Sequence, residues 1–450
     1  MPTDRERIEQ WSLGYHLLKS YHDFFFKIYF NTTVVGIKDI PFDKSLILAA
    51  NHQNSLVDAL AVLSSRRWQL VYLARADVFK TSTLRKILTF IKIMPVYRIR
   101  DGYQNLQLND DIFRKTLDVL KNHRGIGILP EGNHFGQRRL RPLKKGIARI
   151  AFQAEDACEG KLNIHIIPVG LNYSNYVNFR SKLLVRFGQP IDISKYLDLY
   201  RQNPALAYNA LIEELEVGMK AEMIQIDDEA YYDEYEMLRE IFTPMHIKDK
   251  KLPKHLNSQF EVDKKMIAAV DKFKTNSPGQ FQNLMDEVKS YSKLISETGL
   301  SSNSIQAKGI KLWSLLIKLP LLLITLPLFV GGFVNNIIPI AVTNKASKKI
   351  KDVQFISSIR LVVGMFIFPI MFIIQTLVFW AISGNGIYSL CYLISLPLGA
   401  VMAYLWRKYA LKAIEDIKWV ICKFRNPEKT TRLIQLNNSI YNTISPSIEK

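Results

Sequence analysis

Cysteine is scarce in this chain. The 450 residues hold three, Cys158, Cys391 and Cys422, with no spacing that suits a metal and no basis for a disulfide framework. A reducing compartment is the expected setting. The first ten residues, MPTDRERIEQ, have no apolar core and do not read as a secretory signal peptide. Acidic residues are outnumbered, 41 against 60 basic ones, for a formal net charge of +19. That excess suits nucleic acid, a bilayer with anionic lipid or an anionic substrate. Apolar residues are uneven and concentrate between Ile310 and Trp406, which favours a membrane partner and argues against nucleic acid.

Four kinds of segment succeed one another. Trp11 to Phe30 is aromatic-rich and interrupted by Lys19, His22, Asp23 and Lys27. It reads either as an amphipathic helix in the membrane interface (residues 1–31) or as a core helix of the domain next to it. Residues 32–220 alternate strands and helices. Candidate strands are Thr33–Ile37, Ser45–Ala50, Gln69–Leu73, Met94–Tyr97, Gly125–Leu129, Ile164–Val169 and Leu183–Phe187. Helices are expected at Leu56–Ser64, Leu84–Lys92, Asn109–Asn122, Lys145–Glu155 and Pro204–Glu222. The fold class is α/β, a mixed sheet with helices on both faces. Residues 221–305 are charged and helix-prone, and read as a water-facing helical appendage.

The last part is apolar. Prolines 320, 327 and 339, with Gly331-Gly332, interrupt residues 306–341, so a re-entrant or interfacial hairpin is expected there more than a single span. Residues 342–425 read as a transmembrane hairpin, with spans near 361–382 and 388–406. Lysines and arginines flank this pair at both ends, which places the ends, and the α/β domain, on the cytoplasmic side. Residues 426–450 form a C-terminal tail.

Two stretches carry the chemistry. Asn51-His52-Gln53-Asn54-Ser55-Leu56-Val57-Asp58 comes after one apolar run, and Leu129-Pro130-Glu131-Gly132-Asn133 after another. Both read as mouths of buried strands, where α/β proteins place their sites. His52 is a candidate general base and Asp58 its orienting partner. The bland alternative is that both merely cap the helix near Leu56. Glu131 can bind an acceptor hydroxyl or fix the site, and Gly132 lets backbone approach a ligand. Arg98 can grip phosphate in a bidentate way, or form a surface ion pair. Arg138, Arg139, Arg141, Lys144 and Lys145 make a basic loop that can hold phosphate or anionic lipid, or simply face water.

In this order the motifs resemble those of the glycerolipid acyltransferase family, typified by 1-acyl-glycerol-3-phosphate acyltransferases. Asn51-His52 with Asp58 is similar to the first block. Met94-Pro95-Val96-Tyr97-Arg98 is similar to the second, and Leu129-Pro130-Glu131-Gly132 to the third. Ile166-Ile167-Pro168-Val169-Gly170 resembles the fourth. The resemblance covers roughly residues 34–220. It implies acyl transfer from acyl-CoA or acyl carrier protein to a lipid hydroxyl such as that of lysophosphatidate, with no cofactor besides that co-substrate. It implies His52 as base, Asp58 as its partner, and Arg98 and Glu131 as acceptor-binding groups. Two departures stand out. Five residues separate the histidine from the aspartate where the family usually has four, so a bulge or longer turn must absorb one. The third block usually continues Thr-Arg-Ser, but here it runs Asn133-His134-Phe135. Either the nearby arginine loop replaces the missing arginine or the acceptor differs. Glycerol 3-phosphate and an amino-acid lipid are the alternative acceptors. A non-catalytic lipid-binding adaptor is the remaining class, and the presence of both His52 and Glu131 argues against it.

Overall fold

The computed structural model describes residues 7–65, 69–97, 108–306 and 311–448. The chain divides into two compact units, residues 1–225 with 347–362, and residues 226–346 with 363–450.

The first unit is built on an eight-stranded sheet. In chain order the strands are β1 (Asn31–Val35), β2 (Ser45–Ala50), β3 (Leu70–Arg75), β4 (Ile93–Val96), β5 (Gly125–Ile128), β6 (Ile164–Tyr173), β7 (Lys182–Phe187) and β8 (Ile191–Asp192). They lie in the order β1-β7-β6-β2-β5-β3-β4, with β8 beside β6. Among the described residues only the β6 pairings with β7 and β8 are antiparallel, so the sheet is mixed, as expected. Seven strands match the sequence reading. The eighth, two residues long, is too short to leave a periodic signal.

Strand β2 is apolar at every position after Ser45 because both faces of the sheet are covered. Its side chains alternate between two cores. Ile47 and Ala49 join a cluster with Phe152, Ala151, Leu211 and Met219, from the helices Gly146–Ala157 and Pro204–Glu222. Leu46, Leu48 and Ala50 join a second cluster with Phe26, Phe30, Val57 and Ala61, from around the helices Leu13–Tyr29 and Leu56–Ser64. The N-terminal helix is thus a core helix on one face. Its other side leaves Leu17, Phe24 and Ile28 exposed, beside Trp11 and Leu13.

The second unit is helical. The helices Tyr232–Asp249, Leu256–Asn276 and Pro278–Thr298 bury Tyr235, Phe242, Met266, Val270 and Met285. The segment read as a C-terminal tail is instead a helix, Pro427–Ile448. It buries Leu433, Leu436, Ile440 and Ile444, spaced three and four apart, so one apolar stripe docks it.

Residues 311–341, expected within a re-entrant or interfacial hairpin, do not fold back: Lys311–Lys348 is a single helix that runs through Pro320, Pro327 and Pro339. A proline removes one backbone donor and frees the carbonyl four residues earlier. For Pro339 that carbonyl belongs to Asn335, and it accepts from Gln375 Nε2 at 2.8 Å. A neighbouring side chain thus satisfies the group that would otherwise break an apolar helix. Two long apolar helices, Ile356–Ser383 and Gly386–Arg425, stand where the transmembrane hairpin is expected. Gly332 meets Gly399 backbone to backbone, where a Cβ on Gly332 would lie 2.2 Å from the Gly399 carbonyl oxygen. Small residues of this kind let apolar helices approach closely. Among the described residues, three helices are long and apolar enough to cross a membrane.

Phe152 is fully buried and stacks on Tyr200, with ring centroids 4.9 Å apart. Phe152→Ala is expected to destabilise the α/β unit by about 3–5 kcal/mol, read as a lowered unfolding midpoint of the purified chain in detergent.

Candidate active site

The parallel strands β2 and β5 end side by side, and the two sequence motifs leave from those ends. Asn51 is fully buried and extends the β2–β6 pairing through its side chain. Its Oδ1 accepts from Leu171 N at 2.6 Å and its Nδ2 donates to Leu171 O at 3.2 Å. The next residue is therefore held where the sheet stops.

His52 Nδ1 lies 2.9 Å from Asp58 Oδ2. Asp58 sits in the first turn of the helix Leu56–Ser64 and is fully buried. The same oxygen accepts from Gln53 N at 2.8 Å and Asn54 N at 2.6 Å, and Oδ1 accepts from Tyr173 Oη at 2.8 Å. Burial, with the Asp58 charge beside it, holds the Tyr173 phenol well above its ordinary pKa, so it remains a donor. The extra residue between histidine and aspartate is taken up at Ser55, whose φ of 50° is left-handed. Asp58 thus reaches His52 despite the longer spacing. The backbone donors to Asp58, Gln53 N and Asn54 N, precede the helix, so the carboxylate braces the loop that carries His52 and does not cap the helix.

Glu131 is 3% exposed. Its Oε1 accepts from His52 N at 2.6 Å and its Oε2 from Arg141 N at 3.1 Å. Burial raises its pKa to about 7, against the lowering effect of those two backbone hydrogen bonds. In this geometry Glu131 clamps the histidine loop to the basic loop. Gly132 turns with φ of +70°, a conformation that costs glycine little. Lys144 N then closes the turn on Pro130 O at 2.8 Å.

The basic loop separates into two kinds of residue. Arg138, expected among the substrate-binding cations, is instead buried and donates from Nη2 to Tyr173 O at 2.7 Å. It holds the loop on β6. Arg139 and Arg141 each place a guanidinium 5.8 Å from the centre of the Phe135 ring, while Lys144 and Lys145 are exposed. Phe135 N in turn donates to His52 O at 3.1 Å, so two cations sit close to the histidine loop. Arg98 lies outside the described residues.

Two residues at this site are not apparent from the sequence motifs. His134 packs its ring edge-to-face on His52, with centroids 5.4 Å apart. Asp352, 218 residues further on, lies 2.6 Å from His134 Nε2. His134 is visible in the sequence only as a departure from a motif, and nothing local marks Asp352.

The Acyltransferase family model matches residues 31–172, the stretch that carries this site. Over that stretch the chain is similar to the glycerolipid acyltransferases. It is 24% identical to glycerol-3-phosphate O-acyltransferase 2 of Saccharomyces cerevisiae, over 59% of this chain and 37% of that protein. It is 23% identical to glycerol-3-phosphate O-acyltransferase 1 of the same yeast, over 60% of this chain and 37% of that protein. The chain therefore spans little more than a third of the curated relatives it matches. A solved structure, the 1-acyl-sn-glycerophosphate (LPA) acyltransferase PlsC from Thermotoga maritima, is 18% identical with a TM-score of 0.29. That match covers 44% of this chain and 80% of the other. In this acyltransferase domain the histidine and aspartate are joined directly, and the glutamate ties their loop to the arginines.

The raised pKa of Glu131 sets a pH dependence. A carboxyl with pKa near 4.5 unfolded and about 7 folded binds more protons when folded, so its contribution to stability is complete below pH 4.5 and is lost as pH rises through 7. Relative to Glu131→Gln, the intact chain is expected to lose about 3 kcal/mol between pH 4.5 and 8, at about 1.36 kcal/mol per pKa unit. Unfolding midpoints of both proteins across that range would check it, and parallel curves would contradict it.

Proposed function

We propose that this chain is a membrane-bound O-acyltransferase. It moves a fatty acyl group from an acyl thioester, acyl-CoA or acyl carrier protein, to a hydroxyl of a glycerol-phosphate acceptor. One observation carries the reading: a histidine held through Nδ1 by a buried aspartate at 2.9 Å, at the end of a central strand. With Nδ1 engaged, Nε2 is the nitrogen that takes the proton from the acceptor hydroxyl. The freed oxygen attacks the thioester carbonyl carbon. The tetrahedral intermediate collapses, the C–S bond breaks, and the imidazolium returns its proton to the departing thiolate. The transfer is direct and needs no acyl-enzyme.

The acceptor's phosphate fits the cations Arg139, Arg141, Lys144 and Lys145, of which the first two flank Phe135. Two of the similar proteins are named as glycerol-3-phosphate acyltransferases, which supports that acceptor over lysophosphatidate. The apolar residues Trp11, Leu13, Leu17, Phe24 and Ile28 suit contact with a bilayer. The lysines and arginines around the apolar helices support a cytoplasmic site.

The test is thiol release by the purified full chain in lipid vesicles. Acyl-CoA or acyl carrier protein thioester is supplied with glycerol 3-phosphate or lysophosphatidate. Release that needs an acceptor and falls at least about 10²- to 10⁴-fold in His52→Ala is the expected outcome. Release that is equal in both proteins would exclude His52 chemistry. No release from any donor–acceptor pair would leave lipid binding alone as the domain's role.

A further inference from the structure

Residues 347–362 take in the end of one apolar helix and the first turns of the next, yet they belong to the α/β unit. They make a strap over the catalytic loops. Ser357 is fully buried and donates to Asn54 Oδ1 at 2.9 Å. Leu361 joins the core cluster that contains Val57. Gly136 lies against the end of the Gln354 side chain, which a Cβ there would meet at 2.0 Å and push aside. The turn Val353–Phe355 is capped by Asp352, whose Oδ1 accepts from Gln354 N at 3.1 Å. The other oxygen of Asp352 takes His134 Nε2, and Phe355 packs edge-on to the His134 ring at 5.0 Å.

The site therefore holds two histidine–carboxylate pairs, His52–Asp58 and His134–Asp352, with their imidazoles nearly perpendicular and 5.4 Å apart. In the first, Asp58 engages Nδ1, which leaves Nε2 to act. In the second, Asp352 engages Nε2, which leaves Nδ1 as an acceptor on the neutral ring. The rings are too far apart to bond each other and near enough to meet neighbouring oxygens of one small molecule. Residue 134 also stands where the family motif usually carries arginine, so a donor-only group is replaced by one that can accept.

Resting on the acyltransferase reading, we propose that His134 recognises a second hydroxyl of the acceptor, beside the one His52 deprotonates. Asp352 is the positioning residue that fixes its tautomer. The acceptor is then a vicinal diol phosphate, the glycerol 3-phosphate class, and the strap completes its binding site.

The test removes the hydroxyl and the residue in turn. Glycerol 3-phosphate is compared with 3-hydroxypropyl phosphate, which keeps the reacting primary hydroxyl and the phosphate but lacks the middle hydroxyl. The intact chain in vesicles should lose roughly tenfold in kcat/KM on the deoxy acceptor, the size of one good hydrogen bond. In His134→Ala that ratio should collapse to between about one and two, and in Asp352→Asn it should fall at least about threefold. Asp352→Glu should retain most of it, and KM for the thioester should stay unchanged throughout. An equal ratio in all four proteins would overturn the proposal while leaving the acyltransferase reading intact. So would an intact chain that uses lysophosphatidate and refuses the diol. A loss of donor and acceptor binding together, with a lowered unfolding midpoint, would make the strap merely structural and would also overturn it. An intact chain with no transfer to any acceptor would overturn the functional reading itself, and this inference with it.

Discussion

The buried carboxylate of Asp58 organises the site. It lies at the start of a helix with no exposure and is surrounded by four donors: the His52 ring, two backbone N–H groups and the Tyr173 phenol. A charge taken out of water is costly unless it is hydrogen-bonded on every side. Here that requirement fixes the loop from Gln53 to Ser55, and through it the His52 imidazole. Removing any one donor leaves the others to carry a buried charge, so the loop has little freedom to take another path.

The rest of the unit serves that loop. Apolar side chains alternate along β2 into cores on both faces, and this brings the strand end, with Asn51, to a defined point. Glu131 then joins the His52 backbone to the Arg141 backbone, and Arg138 joins the same loop to β6 through Tyr173 O. Cations near the site thus divide by burial. The buried Arg138 holds structure, while Arg139 and Arg141 sit beside Phe135. Composition alone cannot separate these roles, since a basic run has the same residues whichever side of it is buried.

Much of this is legible in the chain. Seven strands announce themselves as short apolar runs, and the pairing of His52 with Asp58 is suggested by their separation at a strand mouth. The spacing of five looks awkward because sequence does not report that Ser55 turns with positive φ. The prolines after residue 310 suggest a broken segment. The helix survives them in part because Gln375, on another element, takes the carbonyl that Pro339 frees. The stripe of Leu433, Leu436, Ile440 and Ile444 has a helical period, yet its place at the end of the chain makes it read as a tail.

The sequence by itself determined the resemblance to the glycerolipid acyltransferases, the α/β class, the apolar helices and the histidine–aspartate pair. Each of these is written in local patterns: the period of apolar residues and the residues at strand ends. Tertiary structure alone decided what surrounds that pair. The strap of residues 347–362, the meeting of His134 with Asp352 across 218 positions, and the retirement of Arg138 into the fold all depend on packing between distant segments. No local periodicity encodes such packing, because the partner's position is set by the sheet and not by the residues that flank it.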